Sequence, residues 1–537
     1  MAKRSFWAWG MEADEPSLQA KQEAARRLSI TYGVPLEIIP TPNSNDLDLR
    51  PSRIKPPKSL DTICTTDSHE RASHTYGRNY EDRIRAFNLD FPNPTDIVAY
   101  PRDEDDIESL LNWCSTYGYV AIPYGGGSSV VGGVEPPEDS RGIITIDLSQ
   151  LNRLLEVDEI SRAARIQSGV YGPALDSQLR PYNLTLRHFP QSYEYSTLGG
   201  WIATRSGGHY ATNHTHIDDF VESVRVITPT GIWESRRLPG SGAGPSPDRI
   251  MIGSEGIFGI ITEAWMRVQA RPRFRASAGV IFSSFEAGAE ASRLIAQAKL
   301  WPANCRLLDP GEASDAAGLD GKHALLVIGF ESAEIPQQDF MREAIELARQ
   351  AGGTIEDSDI RISDASESSA SESSTGRQGN IGEWRNSFLR APYDRNLTMG
   401  LGVVAETLET AITWDKWQNL EQTVRQSLHK SLTKFCGGGR VTCRFTHVYP
   451  DGPAPYFTFE GLGRKGSELQ IHKEIKQAAS EAIISAGGTI THHHAVGRVH
   501  RQWYDKQRPD LFAQSLKQIK KSLDPNGILN PGVLIDP

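Results

Sequence analysis

The strongest constraint on the fold is a glycine-rich segment, PYGGGSSVVGG, at residues 123–133. It follows the short apolar run VAI, which is typical of a strand. Glycines allow backbone conformations with positive φ, so successive N–H groups can converge on an anion. Ser128 and Ser129 add hydroxyl donors. The sequence therefore predicts a strand followed by a loop that can bind phosphate.

This loop is neither a Rossmann nor a Walker motif, because the glycine spacing differs and no lysine follows the second glycine cluster. Taken alone, the segment fits a glycine-rich hairpin equally well. Two further segments favour a ligand: STLGGWIATRSGG at 196–208 and IMIGSEGIFGIITE at 250–263. Each joins apolar neighbours through backbone that a ligand can approach closely. Three such segments in one α+β unit predict a long, phosphate-bearing cofactor.

The composition is that of a soluble globular protein. The chain has 537 residues, of which 38% are hydrophobic and 23% are charged. Its formal charge of −10 disfavours nucleic acid as a partner. No apolar run approaches the ~20 residues that cross a bilayer. The five cysteines are scattered and form no CxxC pair, so we expect free thiols and a cytoplasmic location.

Hydrophobic periodicity divides the chain into four parts. Residues 1–90 are irregular and predict a wrapping arm, whereas 91–270 alternate β-branched runs with helical and glycine-rich stretches. Residues 271–460 alternate helices and strands again. Within them, the Ser- and Glu-rich stretch 363–380 is predicted to be a mobile loop, because it cannot bury enough apolar surface to order itself. Residues 461–537 form a C-terminal helical region that carries a histidine run.

The run THHHAVG, at 491–497, places three histidines inside the fold. We predict a strand over 489–494, after a helix that ends at a Gly-Gly pair. Because side chains alternate along a strand, His492 and His494 would point one way and His493 the other. Three adjacent histidines would then be poorly placed to chelate one ion, so no metal site is predicted.

Three interpretations of the histidine run remain open. Two of the histidines could form a metal site that is completed by His447 or an acidic residue. The histidines could instead be structural and held by hydrogen bonds. They could also be functional, because imidazole titrates near neutral pH and can move a proton or bind phosphate. In that case His493 and His494 are the more important pair.

Four motifs, in the same order, resemble the FAD-binding fold of the vanillyl-alcohol oxidase family: PYGGGSSVVGG, STLGGW, GSEGIFGIITE and LDPNGILNPG. The resemblance implies an α+β fold with a two-part PCMH-type FAD-binding domain, a mixed α/β substrate (cap) domain and a C-terminal helical segment. It implies FAD as the cofactor, bound noncovalently. The residues that it assigns to FAD are Pro123, Gly125, Gly126, Gly127, Ser128, Ser129, Gly132, His188, Ser192, Ser196, Thr197, Gly199, Gly200, Thr204, Glu255, Gly256, Gly259 and Ile261.

Within this family, the histidine run and the segment CRFTHVYPDGPAPYFTF before it are similar to the alkyldihydroxyacetone-phosphate synthases of ether-lipid synthesis. That resemblance implies exchange of the acyl chain of acyl-dihydroxyacetone phosphate for a fatty alcohol, without net redox change of FAD. It assigns the substrate phosphate to Arg306 and Arg395, since guanidinium groups offer paired donors. The residues that it assigns to proton transfer are Tyr456, His492, His493 and His494.

The chain also departs from that branch. Ala454 stands where the branch often has a cysteine, two residues before Tyr456. The histidines at 209, 214 and 216 are unusual as well. An FAD-dependent dehydrogenase or oxidase of a 2-hydroxy acid or alcohol is therefore the alternative, and a protein that only binds lipid or a partner is a third possibility. The expected partners are small lipid substrates, a second copy in a homodimer and, peripherally, a membrane surface.

Overall fold

A computed structural model of the chain describes residues 3–139, 141–210, 212, 214–363 and 390–536. Over these ranges the fold is α+β, as predicted, and its strands form three large sheets and one small pair. All of the Ser-rich stretch predicted to be mobile, except Ser363, lies outside the described residues. All five cysteines are free thiols, which confirms that prediction.

The first sheet is mainly parallel, and one of its strands leads into the glycine loop. Its strands are β1 (Cys64–Thr65), β2 (Ile97–Ala99), β3 (Val120–Tyr124) and β4 (Ile143–Asp147), in the order β1-β2-β4-β3. Helix α4 (Glu104–Tyr117) makes the crossover that parallel strands require. The Asp103 side chain accepts an N–H of its first turn, and Gly118 ends the helix in the left-handed conformation. The glycine loop begins where β3 ends.

The second sheet is antiparallel, in the order β5-β6-β10-β8-β9. Its strands are β5 (Leu154–Asp158), β6 (Ala163–Gln167), β8 (Val221–Thr228), β9 (Gly231–Glu234) and β10 (Ile260–Arg267). Strands β7 (Leu184–Thr185) and β11 (Gln269–Ala270) form the small pair. The helices of this part are α5 (Gly172–Leu179), α6 (Leu198–Thr204) and α7 (Pro247–Met251). The second glycine segment includes helix α6, and the third ends in strand β10. Both segments contact the end of β3 or the loop that follows it.

The third sheet is antiparallel and has the order β15-β12-β14-β13-β17-β18-β16. Its strands are β12 (Phe274–Phe282), β13 (Asn304–Leu308), β14 (Ala324–Ser332), β15 (Ile360–Ser363), β16 (Val403–Glu409), β17 (Arg440–Val448) and β18 (Pro453–Leu462). The associated helices are α8 (Phe285–Gln297), α9 (Pro310–Ala317), α10 (Gln338–Gln350), α11 (Trp417–Cys436) and α12 (Glu468–Ser485). Apolar faces of α8, α10, α11 and α12 bury one face of the sheet. Its other face is free to carry polar side chains.

Both ends of the chain pack into these layers. The N-terminal part contains α1 (Leu18–Tyr32), α2 (Ser68–Ser73) and α3 (Tyr80–Phe87), and Trp7 is fully buried against Phe87. After α13 (Arg501–Gln507) and α14 (Asp510–Leu523), the tail lies beside β3, where the Ala121 N–H donates to the Ile528 carbonyl over 2.9 Å. None of the described helices is both long and apolar enough to cross a membrane. The domain boundaries drawn from sequence stay a prediction.

Candidate active site

A deep cavity lies where the three glycine segments meet the seven-stranded sheet. It encloses about 1850 Å³ of empty space, its open mouth included. One wall consists of the glycine segments, and the opposite wall consists of β13, β16, β17, β18 and the histidine run. The cavity therefore lies between glycine-rich backbone and side chains that can do chemistry.

The glycine wall depends on contacts that leave no space for side chains. A Cβ atom on Gly126 would lie 2.0 Å from the carbonyl oxygen of Tyr195, and one on Gly125 would lie 2.3 Å from the Thr197 hydroxyl. A Cβ on Gly256 would lie 2.9 Å from the ring of Pro123. Each glycine segment thus contacts the next through bare backbone, which leaves main-chain groups and hydroxyls facing the cavity.

This wall fits FAD. All of the residues assigned to the cofactor line the cavity, except Gly132 and His188. Backbone N–H groups of the loop and the hydroxyls of Ser128 and Thr197 suit a diphosphate, and the apolar Ile261 suits a flat ring. Gly132 instead has φ 68° and forms part of the turn that follows the loop.

His188 lies behind the wall rather than on it. Its Nε2 atom is 2.7 Å from the Ser206 hydroxyl, and its ring packs against Trp201 and Phe220. A Cβ on Gly208 would lie 2.8 Å from its Nδ1 atom, so the backbone there covers the imidazole. Burial lowers the pKa of His188 to about 3, and the ring is neutral at pH 7. Its position supports the wall and offers no direct contact with a ligand.

The predicted strand over 489–494 is wrong: the segment runs in bends. The cause is Glu409, at the end of β16, which accepts the backbone N–H groups of His492, His493 and His494 over 2.7, 3.0 and 2.9 Å. It also accepts the Thr491 hydroxyl over 2.6 Å. A strand would direct alternate N–H groups to opposite sides, whereas here consecutive ones converge on one carboxylate.

The electrostatics of Glu409 fit this arrangement. Burial alone would raise the pKa of its carboxyl, but the facing imidazoles of His493 and His494 and the hydrogen bond from His493 hold the pKa well below the usual range. The carboxylate is therefore ionised. An ionised group with several donors keeps the histidine run in one conformation.

The three histidine side chains differ in whether they reach the cavity. His493 and His494 line the cavity. His492 lies behind them, with its Nδ1 atom 2.9 Å from that of His493 and its Nε2 atom 2.7 Å from the Tyr449 hydroxyl. Burial lowers the pKa of His492 well below its usual range and that of His494 to about 3. His494 is therefore neutral at pH 7 and offers no cation to a phosphate.

Tyr456 lies beside these histidines because of strand register. It pairs with Glu409 across β18 and β16, so the phenol faces the run that Glu409 holds. Its ring centroid is 6.1 Å from that of His493 and 5.6 Å from that of His494. The hydroxyl donates to Thr407 Oγ1 over 3.1 Å. The phenol and two imidazoles thus form one polar cluster on the cavity wall.

Both arginines assigned to the substrate phosphate also line the cavity, in different surroundings. Arg306 on β13 is 2% exposed and donates to the His209 carbonyl over 3.2 Å. Burial lowers its pKa to about 9. A nitrogen of Arg395 lies 3.8 Å from the Glu406 carboxylate. Arg444, on β17, lies against the Tyr456 ring and pairs with Glu312.

A metal ion is the other ligand that the histidines could hold. Nitrogen atoms of His447, His492 and His493 lie within 4.8 Å of one another. His447 Nε2 faces the Gly208 carbonyl at 2.8 Å, and its buried Nδ1 has no hydrogen-bond partner among the described residues. Imidazole nitrogens so arranged could bind a divalent cation such as Zn²⁺. This is the two-histidine site completed by His447 that the sequence left open; the prediction of no metal stays a prediction.

Several site residues escaped the sequence analysis. Glu409 and Thr407 lie in the apolar run VVAETLE, and a carboxylate inside such a run could have indicated a buried polar site. Arg444 sits in the segment before Tyr456, which was noted without assigning it a role. Of the unusual histidines, His209 lines the cavity and His216 contacts His492 at 3.3 Å. His214 packs against Phe220.

Comparisons with known proteins show which family shares this sequence and fold. The family model described as FAD binding domain matches residues 95–235, and the one described as FAD linked oxidases, C-terminal domain, matches residues 271–534. An alkyldihydroxyacetonephosphate synthase of Dictyostelium discoideum is 30% identical over 479 residues, which cover 87% of this chain and 78% of that protein. The corresponding protein of Caenorhabditis elegans is 30% identical over 488 residues, covering 88% and 81%. A solved alkyldihydroxyacetonephosphate synthase structure superposes with a TM-score of 0.76 at 26% identity, covering 94% of this chain and 91% of that one.

Proposed function

The chain belongs to the alkyldihydroxyacetonephosphate synthase family of FAD-linked proteins, and we propose that it exchanges the acyl chain of acyl-dihydroxyacetone phosphate for a fatty alcohol. One observation carries the proposal. Tyr456, His493 and His494 lie together on the cavity wall opposite the glycine segments, and arginines line the same cavity. That arrangement provides proton carriers and phosphate ligands in front of a cofactor.

FAD binds along the glycine wall, where Gly125, Gly126, Ser128 and Thr197 would hold it. When bound, FAD would supply a ring that accepts electron density from the reacting sugar-phosphate carbon and returns it within one turnover, so that no net oxidation results. The chain supplies placement, charge and proton transfer. Because the cavity is deep and its walls are largely buried, these polar groups act with little competition from water.

We assign the proton transfers to a phenol and to the imidazoles beside it. The Tyr456 phenol carries a proton that points to Thr407 Oγ1, and it is the leading proton donor or acceptor. Its ring is in edge-to-face contact with His494 and lies 6.1 Å from that of His493, so imidazoles lie beside the phenol to orient it and relay its proton. Arg306 and Arg395 bind the phosphate, because guanidinium groups stay charged and offer paired donors.

The test is an anaerobic incubation of FAD-loaded protein with palmitoyl-dihydroxyacetone phosphate and hexadecanol. We expect an ether product that accumulates over many turnovers while the flavin spectrum stays oxidised. The Tyr456→Phe variant should retain FAD and lose about 100-fold or more in turnover, the usual worth of a general acid or base. Flavin bleaching by a 2-hydroxy acid, with no ether product, would instead identify an oxidoreductase.

We further propose that the enzyme is a homodimer and touches membranes peripherally. Long-chain substrates reside in lipid surfaces, and Leu511 and Phe512 at the start of α14 are 75% and 49% exposed. Light scattering of the purified protein should give twice the chain mass. Sedimentation with phosphatidylcholine vesicles should be lost in a Leu511→Ser, Phe512→Ser variant; equal sedimentation of both proteins would reject this contact surface.

A further inference from the structure

Two guanidinium groups that no sequence motif indicated, Arg78 and Arg83, line the same cavity. They are 6% and 4% exposed. Arg83 lies on α3, and Arg78 precedes that helix. The Arg78 N–H donates to the Ser129 carbonyl over 2.6 Å, which places Arg78 directly beside the glycine loop. Both side chains are therefore buried at the junction of the cofactor wall and the substrate wall.

Neither guanidinium makes a direct contact with a carboxylate of the described residues. Arg78 donates to the carbonyls of Gly77 and Ser5 over 2.8 and 2.9 Å, and Arg83 donates to the neutral amide of Asn396 over 2.5 Å. The Nε atoms of both have no hydrogen-bond partner among the described residues. Neither makes an ion pair there within 4.0 Å, in contrast to Arg85 on the same helix, which pairs with Glu135 at 2.7 Å.

Two carboxylates that act on these arginines electrostatically, Glu406 and Asp82, have their own hydrogen-bond partners. Glu406 accepts the Tyr80 N–H over 2.8 Å and lies 3.8 Å from Arg395. Asp82 accepts the Asn79 N–H, and burial raises its carboxyl pKa well above the usual range. Burial also lowers the pKa of Arg78 to about 10 and that of Arg83 to about 9, so both remain cations at pH 7. Buried cations without a direct ion-pair partner are costly to keep away from water.

We propose that Arg78 and Arg83 form an anion subsite of the cavity that binds a phosphate group, with Arg395 beside it. Arg78 and Arg395 also line this cavity, and the positive charge of each lowers the pKa of Arg83. A phosphate offers several acceptor oxygens and the negative charge that the cluster needs. Trp9 also lines this cavity. Its backbone N–H donates to the Asn396 side chain, and its carbonyl accepts from the same side chain, both over 3.0 Å. The same amide therefore fixes Arg83 and the N-terminal segment.

The phosphate could belong to FAD or to the substrate, and only the second source rests on the proposed function. We suggest Arg83→Met and Arg83→Lys, with Arg85→Met as the matched control on the same helix. FAD affinity is measured by fluorescence titration of apoprotein, and affinity for glycerol 3-phosphate by calorimetry on FAD-loaded protein. One of these two affinities should fall about 10- to 100-fold in Arg83→Met and less in Arg83→Lys, as expected for the loss of a charged hydrogen bond.

Each outcome has a defined meaning. Weaker FAD binding would show that the subsite binds the diphosphate of FAD. Weaker glycerol 3-phosphate binding with normal FAD affinity would show that it binds the substrate phosphate. Unchanged affinity for both, in variants that melt like the Arg85→Met control, overturns the proposal. If Arg83→Met does not fold, Arg83→Lys and Arg78→Lys decide by the same titrations. If the wild-type protein binds glycerol 3-phosphate through Arg83 but forms no ether product, the subsite proposal stands and the synthase proposal is wrong.

Discussion

Glu409 shows how one side chain can decide the conformation of its neighbours. It accepts three consecutive backbone N–H groups of the histidine run, and it lies opposite Tyr456 in the sheet. The positions of His493, His494 and Tyr456 therefore all depend on this carboxylate. Replacing it should disturb catalysis without removing any group that touches the substrate.

We predict that Glu409→Gln lowers turnover about 100-fold, because an amide NH₂ would face backbone donors and displace the run by a fraction of an ångström. The free energy of unfolding should fall by about 1–3 kcal/mol, the cost of leaving buried donors unpaired. Steady-state kinetics and urea unfolding measure both effects. The exposed Glu474→Gln is the control. Normal turnover in Glu409→Gln would mean that the carboxylate does not position the histidines.

Buried histidines make stability depend on pH. His188 has a folded pKa of about 3, against about 6.5 in an unfolded chain, so the unfolded state binds the extra proton between these values. Stability is then lost as the pH falls below about 6.5. From pH 7 to pH 5 this single group should cost about 2 kcal/mol.

The check is urea unfolding of the wild type and of His188→Gln at pH 7 and pH 5. The variant should be less stable at pH 7, since it loses packing against Trp201, but its further loss on acidification should be smaller by about 2 kcal/mol. An equal pH 7 to pH 5 loss in both proteins would show that His188 does not stay neutral in the native state.

Among the structural elements, the glycine segments act as spacers. Gly126 and Tyr195 approach so closely that a methyl group at Gly126 would lie 2.0 Å from a carbonyl oxygen. We predict that Gly126→Ala separates the loop after β3 from the segment before α6 and weakens FAD binding at least about 10-fold, as a loss of 1.4 kcal/mol or more. Equilibrium dialysis against FAD measures the effect.

The control is Gly242→Ala, because a Cβ at Gly242 meets nothing within 4 Å and its backbone is not in the left-handed region. It should bind FAD like the wild type. If Gly126→Ala also binds FAD normally, the cofactor does not lie along this wall.

The elements themselves were largely predictable from sequence. The runs ALLVIGF, VVAETL and RVTCRFTHVY form β14, β16 and β17, and FEAGAEASRLIAQAKL forms α8, because their periodicity matches the face that each buries. The histidine run failed the same reasoning. Its conformation is set by Glu409, more than 80 residues earlier in the chain, and such a long-range contact leaves no local pattern.

The candidate site was predictable to the same degree. The glycine segments and the histidine run were recognisable from residue type, whereas Tyr456 was identified only through the family resemblance. Arg83 and Thr407 were not, because a single arginine in a helix or threonine in a strand usually lies at the surface or in ordinary packing. Only the fold shows that both face the cavity.

At the scale of the whole molecule, the C-terminal tail joins the glycine segments. The Asn530 amide donates to the carbonyls of Gly133 and Glu255 over 3.0 and 2.8 Å, and its φ of 38° is one that asparagine tolerates. Glu255 in turn accepts the N–H groups of Val496 and Gly497, just after the histidine run. Cofactor wall, tail and histidine run thus form one hydrogen-bonded unit.

We predict that Asn530→Ala lowers the free energy of unfolding by about 1–3 kcal/mol and weakens FAD binding, because two buried carbonyls lose their donor. Urea unfolding with and without FAD separates the two effects. Asn526→Ala, whose amide makes a single contact of 3.3 Å to Ser115, should behave like the wild type. Equal stability of both variants would show that the tail does not couple to the cofactor wall.

The central claim is that the glycine-lined cavity takes up FAD and places it beside Tyr456 and the histidine run. The most direct measurement is the stoichiometry of FAD binding to correctly folded protein, followed by its visible spectrum. We predict a yellow protein with one FAD per chain, bound reversibly. A folded protein that stays colourless when titrated with excess FAD would contradict the account.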